Sequence, residues 1–191
     1  TRENEVSDSI THIIPAIGLT HATELFNFSA LARWNSFLYW DNNDLNTTNQ
    51  NYLVDGKYRL TERWSISGDA AYLKDTTLQS QLEETGIVGI RQERERIDAG
   101  AGTAYNVSER SSIGFDYNYR KINYQQQFSV DNELNSFKLS YNRRLSNQVD
   151  VFSIFPEFTY GTSDQWDAYN YTLNFQLTHQ FDPTLKSSFL I

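Results

Sequence analysis

The chain has 191 residues, a formal net charge of -8, no Cys, no Met, 3 Pro and 12 Tyr. The lack of Cys excludes a disulfide framework or a thiolate metal site, and the acidic balance argues against a nucleic-acid partner, which needs clustered Lys and Arg. No apolar run approaches the ~20 residues of a membrane helix, while a mean hydropathy of -0.60 beside 15% aromatic residues suits strands that alternate polar with apolar.

In chain order, alternation predicts ten strands at about 10–20, 26–40, 51–60, 64–74, 87–105, 112–121, 134–144, 149–161, 168–181 and 185–191. The second has Phe26, Phe28, Ala30, Ala32, Trp34, Leu38 and Trp40 on one parity. The third and fourth continue with Tyr52, Val54, Tyr58 and Leu60, then Trp64, Ile66, Ala70 and Tyr72. The fifth to seventh add Ile97, Ala99, Ala101 and Tyr105, then Ile113, Phe115, Tyr117 and Tyr119, then Phe137, Leu139 and Tyr141. In the eighth, the row Phe152, Ile154, Pro156, Phe158, Tyr160 implies a bulge or local break at Pro156. The ninth, "YNYTLNFQLTHQF" (Tyr169–Phe181), is the clearest, with aromatic and aliphatic residues on one parity and amides and hydroxyls on the other. Its thirteen residues exceed the usual 5–6 of a soluble strand. At roughly 3.3 Å per residue it spans about 40 Å, or about 30 Å when tilted, which is the thickness of a bilayer's hydrocarbon core.

The corners "YRLTERWSIS", "YNVSERSSIG", "RRLSNQVDVF" and "HQFDPTLKSS" recur every ~40 residues and place Ser, Thr or Asp at tight turns; "THATEL" fits more loosely. Between them lie longer polar connections at 41–50, 75–86, 121–131 and 162–167. Short turns at one end and long loops at the other are the pattern of an outer-membrane barrel. These observations predict an all-β, antiparallel, up-and-down transmembrane β-barrel forming one domain over 1–191, with a soluble sandwich as the competing reading. With short turns periplasmic, both chain ends point outward, so the segment is expected to be internal to a larger barrel, with strands missing before Thr1 and after Ile191.

Aromatic residues gather at the ends of the apolar rows. Trp40, Tyr52, Tyr72, Tyr119, Tyr160 and Tyr169 are expected at a loop-side lipid interface, and Tyr58, Trp64, Tyr105, Tyr141 and Phe181 at a turn-side one. The polar parity supplies the expected lumen: Arg33, Asp55, Lys57, Arg59, Asp69, Arg94, Arg96, Asp98, Asp116, Arg120, Lys138, Glu157, Asn174 and Gln176. In a narrow barrel such charges pair across and plug the bore; in a wide one they line water and bias the passage of solutes.

"SDSITHIIPAIGLT" (Ser7–Thr20), together with a Tyr-rich chain carrying "LTERW" and "VSER" corners, resembles a family of uncharacterised, porin-like Gram-negative outer-membrane barrels found near exopolysaccharide or exosortase-type gene clusters. The resemblance implies an integral outer-membrane location and a first strand that precedes this segment. Its motifs speak to turns and girdles rather than to chemistry.

Chemical constellations are sparse. His12, His21 and His179 are far apart and near strand ends. No Ser–His spacing points to a hydrolase, and "DNNDLN" lacks the glycine turn and distal Glu of a calcium loop. "RQERER" (Arg91–Arg96) is expected to form cross-strand ion pairs. No enzyme activity, cofactor or metal is expected; the partners expected are membrane lipid and other envelope export or assembly proteins. The expected function is a pore for polar solutes or a polysaccharide chain, the alternative being a non-conducting scaffold or anchor barrel.

Overall fold

The computed structural model describes residues 8–76, 93–125, 130–145, 149–180 and 186–190, with side chains described up to His179. Its strands are β1 (Ile10–Ile13), β2 (Ala16–Ala22), β3 (Phe26–Tyr39), β4 (Thr47–Arg59), β5 (Trp64–Thr76), β6 (Glu93–Ser108), β7 (Ser111–Tyr124), β8 (Asn132–Arg144), β9 (Asp150–Ser163), β10 (Asp167–Gln180) and β11 (Lys186–Leu190). They form one sheet in which every pairing is antiparallel. From β3 onward each strand pairs with the next in sequence. This is the all-β, up-and-down architecture that the alternation called for. No α-helix occurs among the described residues; a single 3-10 turn covers Asn43–Leu45.

β1 and β2 are one strand in two pieces. Ile10 pairs with Tyr39 and Ala16 with Arg33, so the register runs unbroken past the interruption at Ile14–Pro15. Pro15 has no N–H to give, but its carbonyl still accepts from the Trp34 amide at 3.0 Å. Pro156 acts similarly: the β8–β9 ladder omits Leu139 and Ser140 and resumes at Tyr141 with its register intact. Of the bulge or local break expected at Pro156, the structure shows the break, a gap in bonding without an extra residue.

The corners close as their side chains dictate. Thr23 Oγ1 accepts from the Phe26 amide at 2.9 Å, and Thr61 Oγ1 accepts from the Arg63 and Trp64 amides at 3.2 and 3.0 Å. Ser108 Oγ accepts from the Arg110 amide at 3.2 Å. At the opposite end the strands run further than the apolar pattern reaches. β4 begins at Thr47 rather than 51, β7 continues to Tyr124, and only three residues separate Ser163 from Asp167. The connections expected at 41–50, 121–131 and 162–167 are thus shorter than read. Backbone pairing continues there because Thr, Asn and Gln side chains tolerate an extended ladder without an apolar face to mark it. The expected connection 75–86 falls almost wholly outside the described residues.

Asp8 ties the strand before β3 to the chain after it. Its carboxylate accepts from the Trp40, Asp41 and Asn42 amides at 3.0–3.1 Å and from the Asn42 side-chain amide at 2.8 Å. The Asn42 side-chain bond is the main cause holding the Asp8 carboxyl below its ordinary range; desolvation opposes it, and the three backbone donors add to it.

No hydrophobic side chain is buried among the described residues, and the four buried side chains are polar: Asn49, Asp75, Thr76 and Ser153. A single sheet with large apolar residues exposed over one face has no interior of its own to bury them.

Candidate functional site

The registers sort every described strand residue onto one of two faces, because directly paired residues project to the same side. One face is apolar. Across β3 to β10 it carries rows such as Tyr58–Ile66–Thr103–Phe115–Leu139 and Tyr52–Tyr72–Ile97. On β5 the apolar stretch runs from Trp64 to Tyr72, and on β9 and β10 from Phe152 to Tyr160 and from Tyr169 to Leu177. Eight residue steps reach about 26 Å along a strand, or about 20 Å at a 40° tilt.

Charge bounds this band at the loop end. Just past Tyr72, Lys74 Nζ lies 3.4 Å from Glu93 and 3.6 Å from Glu95; past Tyr119, Lys121 Nζ meets Glu133 at 2.7 Å. The run Arg91–Arg96 thus pairs with its neighbours as far as it is described: Glu93 and Glu95 with Lys74, Arg94 with Asp75 and Arg96 with Asp98.

The described residues among those expected at the interface fall on this face. Tyr52 meets Trp34 edge-on at a centroid distance of 5.8 Å and stacks on Tyr72 at 5.9 Å, and Tyr160 stacks on Tyr169 at 4.9 Å. Trp40 donates from Nε1 to Thr11 at 2.9 Å, and Trp64 from Nε1 to Thr103 at 2.6 Å. Tyr58 meets Phe26 edge-on, while Tyr105 and Tyr141 both pair with Ile113, and Tyr119 pairs with Ala99. Phe181 lies outside the described residues. A second aromatic row runs through the middle of the band: Tyr117–Phe137–Phe158–Tyr171, with centroids 5.0, 6.1 and 4.9 Å apart. On β5 the aromatics Trp64 and Tyr72 flank smaller residues, whereas on β7–β10 aromatic residues also occupy the middle of the band.

The opposite face is polar, and all fourteen residues expected to line the lumen project from it, as the registers place them. In its loop-end half the basic groups are arginines, and three of them are paired along the wall. Arg94 forks onto Asp75 (Nε to Oδ1 3.0 Å, Nη2 to Oδ2 2.7 Å), with both side chains largely covered. Asp98 holds two guanidiniums, Arg96 Nε on Oδ2 and Arg120 Nε on Oδ1, each at 2.6 Å. Such charge-assisted bonds to one carboxylate are short because both partners are ionised. Arg33 stands exposed opposite Asn51.

The turn-end half is arranged differently. Asp55 lies opposite Asp69 and accepts from the Ser29 hydroxyl. Asp69 lies over Gly100, where a Cβ would come within 2.4 Å of its Oδ1; Asp116 lies over Gly102 in the same manner at 2.6 Å. These glycines let short acidic side chains lie down against the backbone of β6. A row Asp116–Lys138–Glu157 crosses β7, β8 and β9. Lys138 Nζ sits 4.9 Å above the Phe155 ring, and Glu157 accepts from Ser136 Oγ at 2.7 Å. Lys57 and Arg59 face Ser67 and Ser65, Asn174 faces Phe155, and Gln176 faces Ser153.

Sequence reasoning missed Asp75 and Phe155 on this face. The alternation ends at residue 74 and so places Asp75 in the expected connection 75–86, whereas it is the last-but-one residue of β5 and pairs with Arg94. Phe155 carries the wrong chemistry for its parity, and no pattern marks it. Among the histidines, His12 bonds Asn35 and stacks on Phe37 at 4.2 Å, and His179 bonds Asp150 at 2.6 Å. His21 sits at the turn end of β2 opposite Phe28. No group of three His, Cys, Asp or Glu suited to a metal occurs among the described residues.

No family model matches the chain, and no curated protein matches it. Among solved structures it is similar to a "CymD monoaromatic hydrocarbon channel", with a TM-score of 0.48 and 13% identity over 96% of this chain and 71% of that one. The resemblance of Ser7–Thr20 to porin-like barrels rests on its own motifs.

Proposed function

We propose that this chain forms the wall of a Gram-negative outer-membrane β-barrel whose apolar face meets lipid and whose polar face lines a water-filled channel for polar solutes or a polysaccharide chain. The observation that carries this is the apolar band. It crosses β3 to β10, ends against charge at the loop end of β5–β8, and leaves no covered core among the described residues. In water, an apolar face of that extent would be covered by a second layer; in lipid it needs none. A sheet edge in hydrocarbon leaves backbone groups unpaired at several kcal/mol each, so a sheet in that setting closes.

An open bore rather than a plug is supported by where the ion pairs run. Arg94–Asp75, Arg96–Asp98 and Arg120–Asp98 each join groups on one strand or on adjacent strands, along the wall. They do not require a partner from across the lumen. The row of Asn, Thr and Gln on β10 adds hydroxyl-matching donors and acceptors suited to sugars. The alternative, a non-conducting barrel that scaffolds an envelope assembly, differs in one measurable respect. Full-length protein in a planar bilayer should show stable unitary conductance steps; insertion without any open level would replace the channel reading with the scaffold.

A further inference from the structure

At the turn end of β7–β9 two hollows adjoin on the apolar side. The first, about 760 Å³, is walled by Trp64, Tyr105, Ile113, Leu139, Tyr141 and Pro156. It opens where the β8–β9 ladder skips Leu139 and Ser140 opposite the proline. The second, about 830 Å³, shares Tyr141 with the first and carries Arg110, Arg143 and Arg144 against a single acid, Glu109. Arg143 lies on the apolar face opposite Ser111 and Phe152, and Arg144 donates its amide to the Arg110 carbonyl at 2.8 Å, so backbone pairing fixes the cluster. Among the described residues, no ion pair engages any of the three arginines.

We infer that this composite is a binding site for one anionic phospholipid of the turn-side leaflet, its acyl chain in the first hollow and its phosphate headgroup on Arg110 and Arg143. The inference rests on the apolar face being the lipid face. The charge sequence along the strand argues for this occupant: hydrocarbon-sized apolar space, then a tyrosine and a tryptophan at interfacial depth, then guanidiniums at headgroup depth. Arginine recognises phosphate oxygens as a planar fork, so headgroup contacts there are directional as well as coulombic. A volume of this order is also what small-ligand sites provide, roughly 300–1,000 Å³. A protein partner would be expected to bring carboxylates to the arginines and would have no need of a narrow apolar hollow behind them.

The test is native mass spectrometry of the full-length protein in neutral detergent supplied with equal phosphatidylglycerol and phosphatidylcholine. One phosphatidylglycerol should be retained, with a preference of about tenfold or more over phosphatidylcholine. The double variant R110Q/R143Q should lose the preference. Leu139→Trp, which fills the first hollow and leaves the charges in place, should lose retention altogether. Equal retention of the two lipids, a preference surviving in both variants, displacement by inorganic phosphate, or a stable protein dimer in place of bound lipid would each overturn the site. Heat-modifiable migration and vesicle insertion, read on the same preparations, separate the two levels. Insertion without selective lipid overturns this site alone, whereas failure of the wild-type chain to insert overturns the barrel and the site together.

Discussion

Ala101 and Ala104 lie three residues apart on β6 and face opposite ways, which allows the lipid face to be tested by one pair of identical substitutions. Ala101 pairs with Gly68 and Tyr117 in the middle of the apolar band, four residues from Ile97 and four from Tyr105. Ala104 pairs with Ser65 and Gly114 on the polar face, beside small residues that leave room for a long side chain. Four strand steps are about 13 Å along the strand and about 10 Å in depth at a 40° tilt, too far for a guanidinium at 101 to reach either margin freely. Ala101→Arg should therefore cost about 2–4 kcal/mol, the expectation for Arg at the midplane of a barrel's lipid face. That is a fall of roughly 30- to 1,000-fold in the folding equilibrium. Ala104→Arg should cost less than about 1 kcal/mol, as lumen changes usually do. Urea unfolding in phospholipid vesicles, followed by tryptophan emission and gel mobility, measures both. Equal costs, or the larger cost at Ala104, would reverse the assignment of faces.

Three further outcomes follow from the described contacts. Asp98→Asn removes the carboxylate shared by Arg96 and Arg120 and should move reversal potentials in a KCl gradient toward anion preference, whereas R96E/R120E should move them toward cations; no shift in either would take this cluster out of the permeation path. Asp8 has its carboxyl held below the ordinary ~3.9, foremost by the Asn42 side chain. Protection of the Trp40, Asp41 and Asn42 amides should accordingly be full above that pH and be lost as the pH falls through the depressed value, while Asp8→Asn should remove the pH dependence. Hydrogen exchange between pH 2 and about 6 reads this; unchanged protection across the range would mean that Asp8 does not anchor this segment. Pro156→Val restores an N–H where the ladder is interrupted and should raise stability by about 0.5–1.5 kcal/mol in the same urea assay; a loss of stability would show that packing around the proline outweighs the missing bond.

Most of the sheet was legible because its signal has a period of two and each strand repeats it. Parity alone put Tyr169, Tyr171, Leu173, Phe175 and Leu177 on one face of β10 and Asn174 and Gln176 on the other, and a one-residue slip would have exchanged them all. Pro156 was legible as an interruption, though not as one that keeps the register, whereas the break at Pro15 was not, since the first strand was expected unbroken over 10–20. The loop-end extensions were hidden because Thr47–Gln50 and Asn123–Tyr124 pair through backbone, which no side-chain pattern reports. Asp75 was lost for that reason, and with it the most covered ion pair described on the polar face. The arginine cluster at Arg110, Arg143 and Arg144 was unreadable for another: its members come from different corners, and only the pairing of β7 with β8 brings them together.

The glycines at 100 and 102 have a consequence for how charge is presented on the polar face. With Asp69 and Asp116 reclined over them, these two acidic groups keep close to the β6 backbone, while Arg33, Lys57 and Arg59 are exposed on the same face and carry longer side chains. A tally of signs on that face is near balance, yet the longer cationic side chains can reach further from the sheet than the reclined acids. Reach, more than number, would set what the proposed channel prefers to admit.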